Sequence, residues 1–301
     1  MKISDFHPAE LKTLLGNRGL RLRTGPFVTH LRSRIPSVAE SLRLLYADFP
    51  VEENNGLADF HVRLLRPRGL RRYVRPQALF DFDGVQPFAP MPLRLSVPLL
   101  EWGLNWCIAG QSHQYLMIHS AVLERGGSAI LLPGSPGAGK STVCAALAWR
   151  GWRLLTDELA LIRPRDGHIL PLPRPVSLKD DSIEVIRRVA PEAVLGPLWP
   201  DTKKGTIAHM RPPADAVARA DETAQPAWVV FVKYRAGEPA VLEPLSRARA
   251  FLRMAENSFN YSILGAQGFE TLASVIDSAT CFDLTYGNLT EAVDLINSKF
   301  K

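Results

Sequence analysis

The chain has 301 residues, of which 46% are hydrophobic and 22% charged, with a formal net charge of +6. That balance excludes a disordered or collagen-like chain, and the length can bury a substantial core in one large domain or two modest ones. No apolar run approaches the roughly 20 residues that cross a bilayer, and the start MKISDFHPAELKTLL lacks the apolar stretch of a signal peptide, so a soluble, cytoplasmic protein with no membrane partner is expected.

In chain order, AELKTLLG predicts a short helix ended by glycine. Alternating apolar stretches PFVTHLRS, ADFHVRLLR and QALFDFDG follow, around a helix VAESLRLLYADF. RLLRPRGLRRYVR carries Arg63, Arg66, Arg68, Arg71, Arg72 and Arg75, and its Pro67 and Gly69 predict a basic turn between strands. Such a turn suits nucleic acid, an acidic peptide, phosphate or plain solvent. Without an interleaved aromatic platform or a helix-turn-helix pattern, nucleic acid is disfavoured. Pro87, Pro90, Pro92 and Pro98 mark a boundary, giving a smaller mixed α+β segment over residues 1–98, a candidate for binding substrate or partner, and a larger domain over 99–301.

VPLLEWGLNWCIAG has helical spacing, with Trp102 and Trp106 four apart and expected in the core. YLMIHSAVLERGGSAILLPG predicts two strands joined at Gly126-Gly127, and KSTVCAALAWRG a helix ended at Gly151. WRLLTDELALI predicts one strand, with GHILPLPRPV as a hairpin arm. Pro191 to Pro226 reads as loop with short helices, AWVVFVKY as a strand and SRARAFLRMAENSF as a helix. The end, CFDLTYGNLTEAVDLINSKF, reads as a strand and a helix capped near Asn288 or Thr290. Strands alternating with helices from about residue 115 predict an α/β fold sharing a sheet. Cys107, Cys144 and Cys281 are too few and too scattered for a disulfide framework or a zinc knuckle and are expected as buried thiols.

The chemistry concentrates in Gly134-Ser135-Pro136-Gly137-Ala138-Gly139-Lys140-Ser141, followed by Thr142. This satisfies G-x-x-x-x-G-K-[ST] between an apolar strand and an amphipathic helix, the context that the pattern requires. Its glycines let backbone N–H groups turn inward around phosphates, and the helix start adds its positive dipole end. Lys140 is placed for the β and γ phosphates and Ser141 for Mg²⁺, so ATP and Mg²⁺ are the expected cofactors. Asp157 and Glu158 follow closely. A strand beside the loop strand would bring both carboxylates to the γ-phosphate, where metal binding and orienting or deprotonating an acceptor need groups of this kind. His119, on the strand before the loop, is either a satisfied core residue or part of the same pocket. Arg174 and Lys179 in LPRPVSLKD, and His209 and Arg211 in KKGTIAHMRPP beside Lys203 and Lys204, are candidates for substrate or phosphate contact, or else ordinary surface charge.

His119, the loop and the close acidic pair together resemble the catalytic domain of HPr kinase/phosphorylase, a bacterial protein-serine kinase whose nucleotide-binding core is similar to that of phosphoenolpyruvate carboxykinase. EWGLNWCIA, GWRLLTDELALI, PLPRPVSLKD and FNYSILG resemble more closely the HprK-related kinase A group, over most of the chain. The resemblance implies a P-loop kinase core, Asp157 as general base towards the acceptor hydroxyl, and His119 assisting it. It also implies a metal held around Ser141, Asp157 and Glu158, and serine on a peptide or small protein as acceptor. A peptide-modification pathway with a PqqD-like peptide-binding partner, and a homo-oligomer by analogy with the hexameric HPr kinases, follow from the same likeness. The chain departs from the pattern too. Glu158 stands where HPr kinases usually carry a second aspartate, and Thr142 where they usually carry a glutamate; the C-terminal signature loop linked to phosphorolysis has no match. Kinase chemistry is therefore implied more than its reversal, and HPr itself is not the expected acceptor. A small-molecule kinase and a nucleotide-gated binding module with slow hydrolysis remain open alternatives.

Overall fold

In a computed structural model that describes residues 1–52, 56–69 and 73–300, the alternating apolar residues of the first hundred positions form a five-stranded sheet. Strands β1 (Leu20–Thr24), β2 (Phe27–Ser33), β3 (Phe60–Leu65), β4 (Gln77–Phe82) and β5 (Met91–Pro92) lie in that order. β2 and β3 run parallel and the other neighbours antiparallel. Period-two alternation sends Leu20, Leu22, Leu31, Val62, Leu64 and Phe80 into one core. Helices α1 (Pro8–Gly16), α2 (Pro36–Leu45) and α3 (Ser96–Gln111) cover it. Although α3 begins near the proline-marked boundary, its Leu99, Leu100, Leu104, Cys107 and Ile108 are buried in this N-terminal core, which also takes in Met117, Leu159 and Leu161.

The rest of the chain is mixed α/β. Strands β6 (Leu116–Arg125), β7 (Ser128–Pro133), β8 (Arg153–Thr156), β9 (Leu159–Ile162) and β10 (Ile169–Leu170) belong to an eight-stranded mixed sheet. β11 (Val176–Lys179), β12 (Trp199–Thr202) and β13 (Gly205–Met210) form a separate three-stranded sheet. β14 (Gln225–Tyr234), β15 (Val241–Pro244) and β16 (Thr280–Tyr286) return to the large one. Its order is β10-β9-β6-β7-β14-β16-β15, with β8 also on β6; β7, β14 and β16 run parallel. Buried on both faces at their centres, β7 and β14 are continuously apolar over residues 129–133 and 228–232, whereas Asp283 interrupts β16. Ile130, Leu132, Val230 and Val232 face α4 (Lys140–Ala148), α5 (Asp181–Val189) and α10 (Leu289–Lys299). Their neighbours Ala129, Leu131, Val229 and Phe231 face α7 (Arg247–Glu256) and α9 (Ala266–Ser278). Short helices α6 (Ala214–Ala218) and α8 (Tyr261–Leu264) complete the chain, and the Asn288 side chain caps α10 by accepting from Thr290 and Glu291 N–H.

Several expectations change. WRLLTDELALI is not one strand: β8 and β9 both run antiparallel to β6 and are separated by Asp157 and Glu158, because the pair is held out of the ladder. Nor does β8 lie beside the loop strand, since β6 intervenes. Pro191 to Pro226 contains β12 and β13, hidden by short length and flanking prolines. Neither tryptophan is core: Trp102 is half-buried with Lys204 Nζ 5.6 Å over its ring, and Trp106 is 40% exposed, its ring standing edge-on to Phe82 and Phe88 at 5.9 and 5.8 Å. Of the basic turn, Arg63 pairs with Asp81 at 2.8 Å, while Arg71 and Arg72 lie outside the described residues. All three cysteines are free and buried. No helix among the described residues is long and apolar enough to cross a membrane.

Gly103 marks the closest approach of α3 to the N-terminal sheet, for a Cβ there would stand 2.0 Å from a ring carbon of Phe80. Gly103→Ala should cost about 1–3 kcal/mol through overpacking, read as a lower urea midpoint. An unchanged midpoint would show that α3 is not seated on β4 in this way.

Candidate active site

Because β7, β14 and β16 are parallel, their carboxyl ends face one way, and the segments leaving them meet around the start of α4. Between Pro133 and α4 the chain turns through Gly134, Gly137 and Gly139, with φ of 146°, 86° and 95°. Side chains other than glycine rarely adopt such angles, and a Cβ at Gly139 would also stand 2.4 Å from the Tyr286 hydroxyl. The Tyr234 N–H donates to the Ala138 carbonyl at 3.0 Å, and the Tyr286 hydroxyl to that of Gly139 at 3.3 Å, so the ends of β14 and β16 hold the loop in shape. Before it opens a crevice of about 1480 Å³, counting its mouth. Its walls include Gly137, Gly139, Lys140, Ser141 and Thr142 from the loop and helix, Lys179 and Lys204, and the two tyrosines.

Lys140 is buried, and its Nζ donates to the Gly134 carbonyl at 2.5 Å, to that of Ser135 at 3.1 Å and to His119 Nε2 at 3.3 Å. Burial lowers its pKa, opposed by Asp157 and Glu158. The His119 pKa is also lowered, by burial first and then by Lys140, so the ring is neutral at pH 7. Since Nε2 accepts from Lys140, the ring proton is assigned to Nδ1. Nδ1 then donates to the Glu158 carbonyl at 3.2 Å, with the Glu158 carboxylate 3.5 Å away.

The break between β8 and β9 presents the acidic pair. Thr156 Oγ1 accepts from the N–H groups of Glu158 and Leu159, at 3.4 and 3.3 Å, and the Ser120 N–H donates to the Glu158 carbonyl at 3.3 Å. The register on β6 shifts just before the pair, between Leu154 and Thr156 opposite Leu123 and Val122, and a bulge of this kind re-aims side chains that strict alternation would send to opposite faces. Asp157 is 5% exposed; its Oδ2 accepts from the Ser177 N–H of β11 at 3.1 Å, whereas Oδ1 has no partner. Burial, then the charge of Glu158, raise its pKa to about 7, against the pull of the Ser177 N–H, the Ser141 hydroxyl and Lys140.

Among the described residues no group of three or more His, Cys, Asp and Glu side chains forms a metal cage. A Mg²⁺ that arrives with phosphates needs only one or two carboxylates and prefers oxygen donors. The Ser141 hydroxyl, the unpartnered Asp157 Oδ1 and Glu158 are all of that type, so the residues present fit it.

The remaining candidates divide. Lys179 lines the crevice. Arg174 is no surface cation: buried, it donates to the Glu101 carboxylate at 2.6 Å and carbonyl at 3.0 Å, and to Asn105. The Tyr46 hydroxyl donates to the same carboxylate at 2.7 Å. Burial works against the Arg174 charge, but Tyr46 and Glu101 hold its pKa above the ordinary value. His209 is buried beside the Trp199 ring and opposite Ser177 in the β11–β13 ladder. Arg174 and His209 both line a second, smaller cavity that touches Asp157. Arg211 pairs with Asp48 and lines neither space. Tyr234, Tyr286, Ser177, Glu101 and Asn105 were not foreseen. For the last two the signal was present: polar residues four apart on an otherwise apolar helix.

No protein-family model matches the chain, and no curated protein matches it either.

A carboxyl that ionises near 7 when folded, against an ordinary 3.8, holds its proton more tightly in the native state. Its contribution to stability is therefore present at low pH, erodes as pH rises past about 4 and is gone above about 7. Asp157→Asn, which has no charge to bury, should gain stability relative to the native chain between pH 5 and pH 8. Equal denaturation midpoint differences at the two pH values would remove the buried-charge account.

Proposed function

We propose that the protein is an ATP- and Mg²⁺-dependent kinase that phosphorylates a hydroxyl, with serine on a peptide or small protein as acceptor and a P-loop kinase core of the HPr kinase type. The observation that carries this reading is the convergence of the glycine loop with one buried carboxyl, Asp157, whose second oxygen is unpartnered and which ionises near neutrality. In support, the loop N–H groups and the start of α4 suit phosphate oxygens. Lys140, held on two carbonyls and an imidazole, would exchange them for the β and γ phosphates. Mg²⁺ carried by the nucleotide would be held by Ser141 with Glu158 or Asp157 and would neutralise phosphate charge.

In the step proposed, Asp157 accepts the proton as the acceptor O–H bond breaks. The acceptor oxygen bonds to the γ-phosphorus, and the bond from phosphorus to the β-bridging oxygen breaks to release ADP. A base is most effective when it ionises near the working pH, which favours Asp157 for this duty. Neutral His119 joins Lys140 to Glu158 and so positions both. The motif resemblance supports the peptide-modification setting and the PqqD-like partner.

Lys140→Ala should abolish ATP binding in calorimetry, and unchanged affinity would sink the loop's assignment. Asp157→Asn should keep ATP binding and lose about 10²- to 10⁴-fold in turnover, without rescue by metal. Glu158→Gln should recover partly at high Mg²⁺. Equal rescue of the two variants would make the pair a metal site alone and favour a nucleotide-gated binding module.

A further inference from the structure

A nucleotide held by its phosphates on the glycine loop has its base still to place, and the strand order of the large sheet decides the direction. β6, β8 and β9 lie on one side of β7, β14 and β16 on the other. His119, Asp157 and Glu158 occupy the first side, and Ser177 closes on Asp157 from β11. A nucleoside would therefore extend the other way, over the carboxyl ends of β14 and β16, about 5 and 10 Å from the loop strand at ordinary strand spacing.

Those two strands end on Tyr234 and Tyr286, opposite each other in register. The two rings are not equivalent. Tyr286 is buried and its hydroxyl donates to the Gly139 carbonyl, whereas Tyr234 is 52% exposed and lines the crevice. Tyr286 stands edge-on to the Tyr234 ring, centroids 5.5 Å apart, and the Tyr234 N–H is held on the Ala138 carbonyl. The Tyr234 ring is thus oriented by its neighbours and still open to the crevice. Val185 of α5 and Leu289 at the start of α10 add apolar surface to the same walls. Apolar area left in water inside a concave space suits a flat ligand that covers it.

The polar groups narrow how such a ligand is read. Among the described residues no asparagine or glutamine lines the crevice, so the side chains that pair a donor and an acceptor with one base edge are missing. Asp180 already accepts from the Thr206 N–H at 2.9 Å, and the Ser182 hydroxyl donates to the Lys179 carbonyl at 2.6 Å. Asp181 remains, and a carboxylate accepts from the amino group of adenine or of guanine alike.

We infer that Tyr234, Val185 and Leu289 form a base subsite that holds a purine by its face, stacked on Tyr234, and takes adenine and guanine equally. The inference rests on the proposed nucleotide reading and widens its donor from ATP to purine nucleoside triphosphates.

The test is calorimetry of the full chain with Mg²⁺ and, in separate titrations, ATP, GTP and inorganic tripolyphosphate. ATP and GTP should bind within about threefold of each other, and both about tenfold or more tighter than tripolyphosphate, the advantage that stacking one base supplies. Tyr234→Ala should remove that advantage and leave tripolyphosphate binding unchanged, while Tyr234→Trp keeps it; melting curves of both variants check folding. Tripolyphosphate bound as tightly as ATP, or ATP affinity unmoved by Tyr234→Ala, overturns the subsite and leaves the loop's phosphate site standing. ATP bound more than about tenfold tighter than GTP overturns recognition by the face, since an edge must then be read. Silence with both ATP and tripolyphosphate sinks the nucleotide reading itself, a result distinct from either.

Discussion

The arrangement depends on an interruption two residues long in the strand that runs along β6. Were β8 and β9 one continuous strand, Asp157 and Glu158 would project to opposite faces of the sheet, one towards the face that carries α4 and the N-terminal core and the other towards α7 and α9. The turn built on Thr156 Oγ1 removes them from the ladder, so that Asp157 accepts from the Ser177 N–H while Glu158 stands beside His119. Three sheet elements are thereby tied to one point: β6 through His119, β7 through Lys140 and the loop, and β11 through Ser177. β8 is one strand removed from β7, yet it ends on the same side, because two antiparallel steps restore its direction.

A second constraint joins the N-terminal unit to this point. Arg174 lies between the acidic break and β11, and its guanidinium is spent on Glu101 and Asn105 of α3, with Tyr46 behind. A buried ion pair adds little net stability when intact, but breaking it by removing one partner costs about 3–5 kcal/mol. Its effect is to fix geometry. α3 cannot leave the second sheet without stranding a charge, and Gly103 lets that helix sit close on Phe80. The first hundred residues are thus bound to the site by both an ionic clasp and an apolar core.

Much of this was legible in the sequence, for identifiable reasons. The loop could be read because glycine with positive φ, followed by a helix, is a local requirement that leaves a local signature. The β6–β7 hairpin at Gly126-Gly127 and the Asn288 cap are equally local. The three-stranded sheet could not be read, because β11, β12 and β13 are short, separated by a helix and prolines, and held together by contacts distant in sequence. The same holds for Arg174: a basic residue between two prolines looks like surface until the fold supplies Glu101. The Asp157–Glu158 pair was conspicuous, but periodicity carried the strand straight through it. Only the ladder on β6 reveals the break.

The electrostatics of the crevice bear on how a nucleotide and the buried acid would coexist. A polyphosphate beside Asp157 adds like charge, which raises a carboxyl pKa further and would keep the base protonated at neutral pH. Lys140, Lys179 and Lys204 oppose this: all three line the crevice, and Lys140 already pulls Asp157 downward. Lys140 is itself weakened by burial and by Lys179 while it rests on loop carbonyls, and an anion in the crevice would restore its charge. Phosphate and lysine would then compensate each other, and the net field at Asp157 would depend on the remaining charges of the crevice, Lys179 and Lys204 against Asp180 and Asp181. On the proposed function this makes Asp157 a usable base only when nucleotide and metal arrive together. The nucleotide alone would raise the carboxyl pKa, and a cation held by Ser141 and Glu158 would oppose that rise.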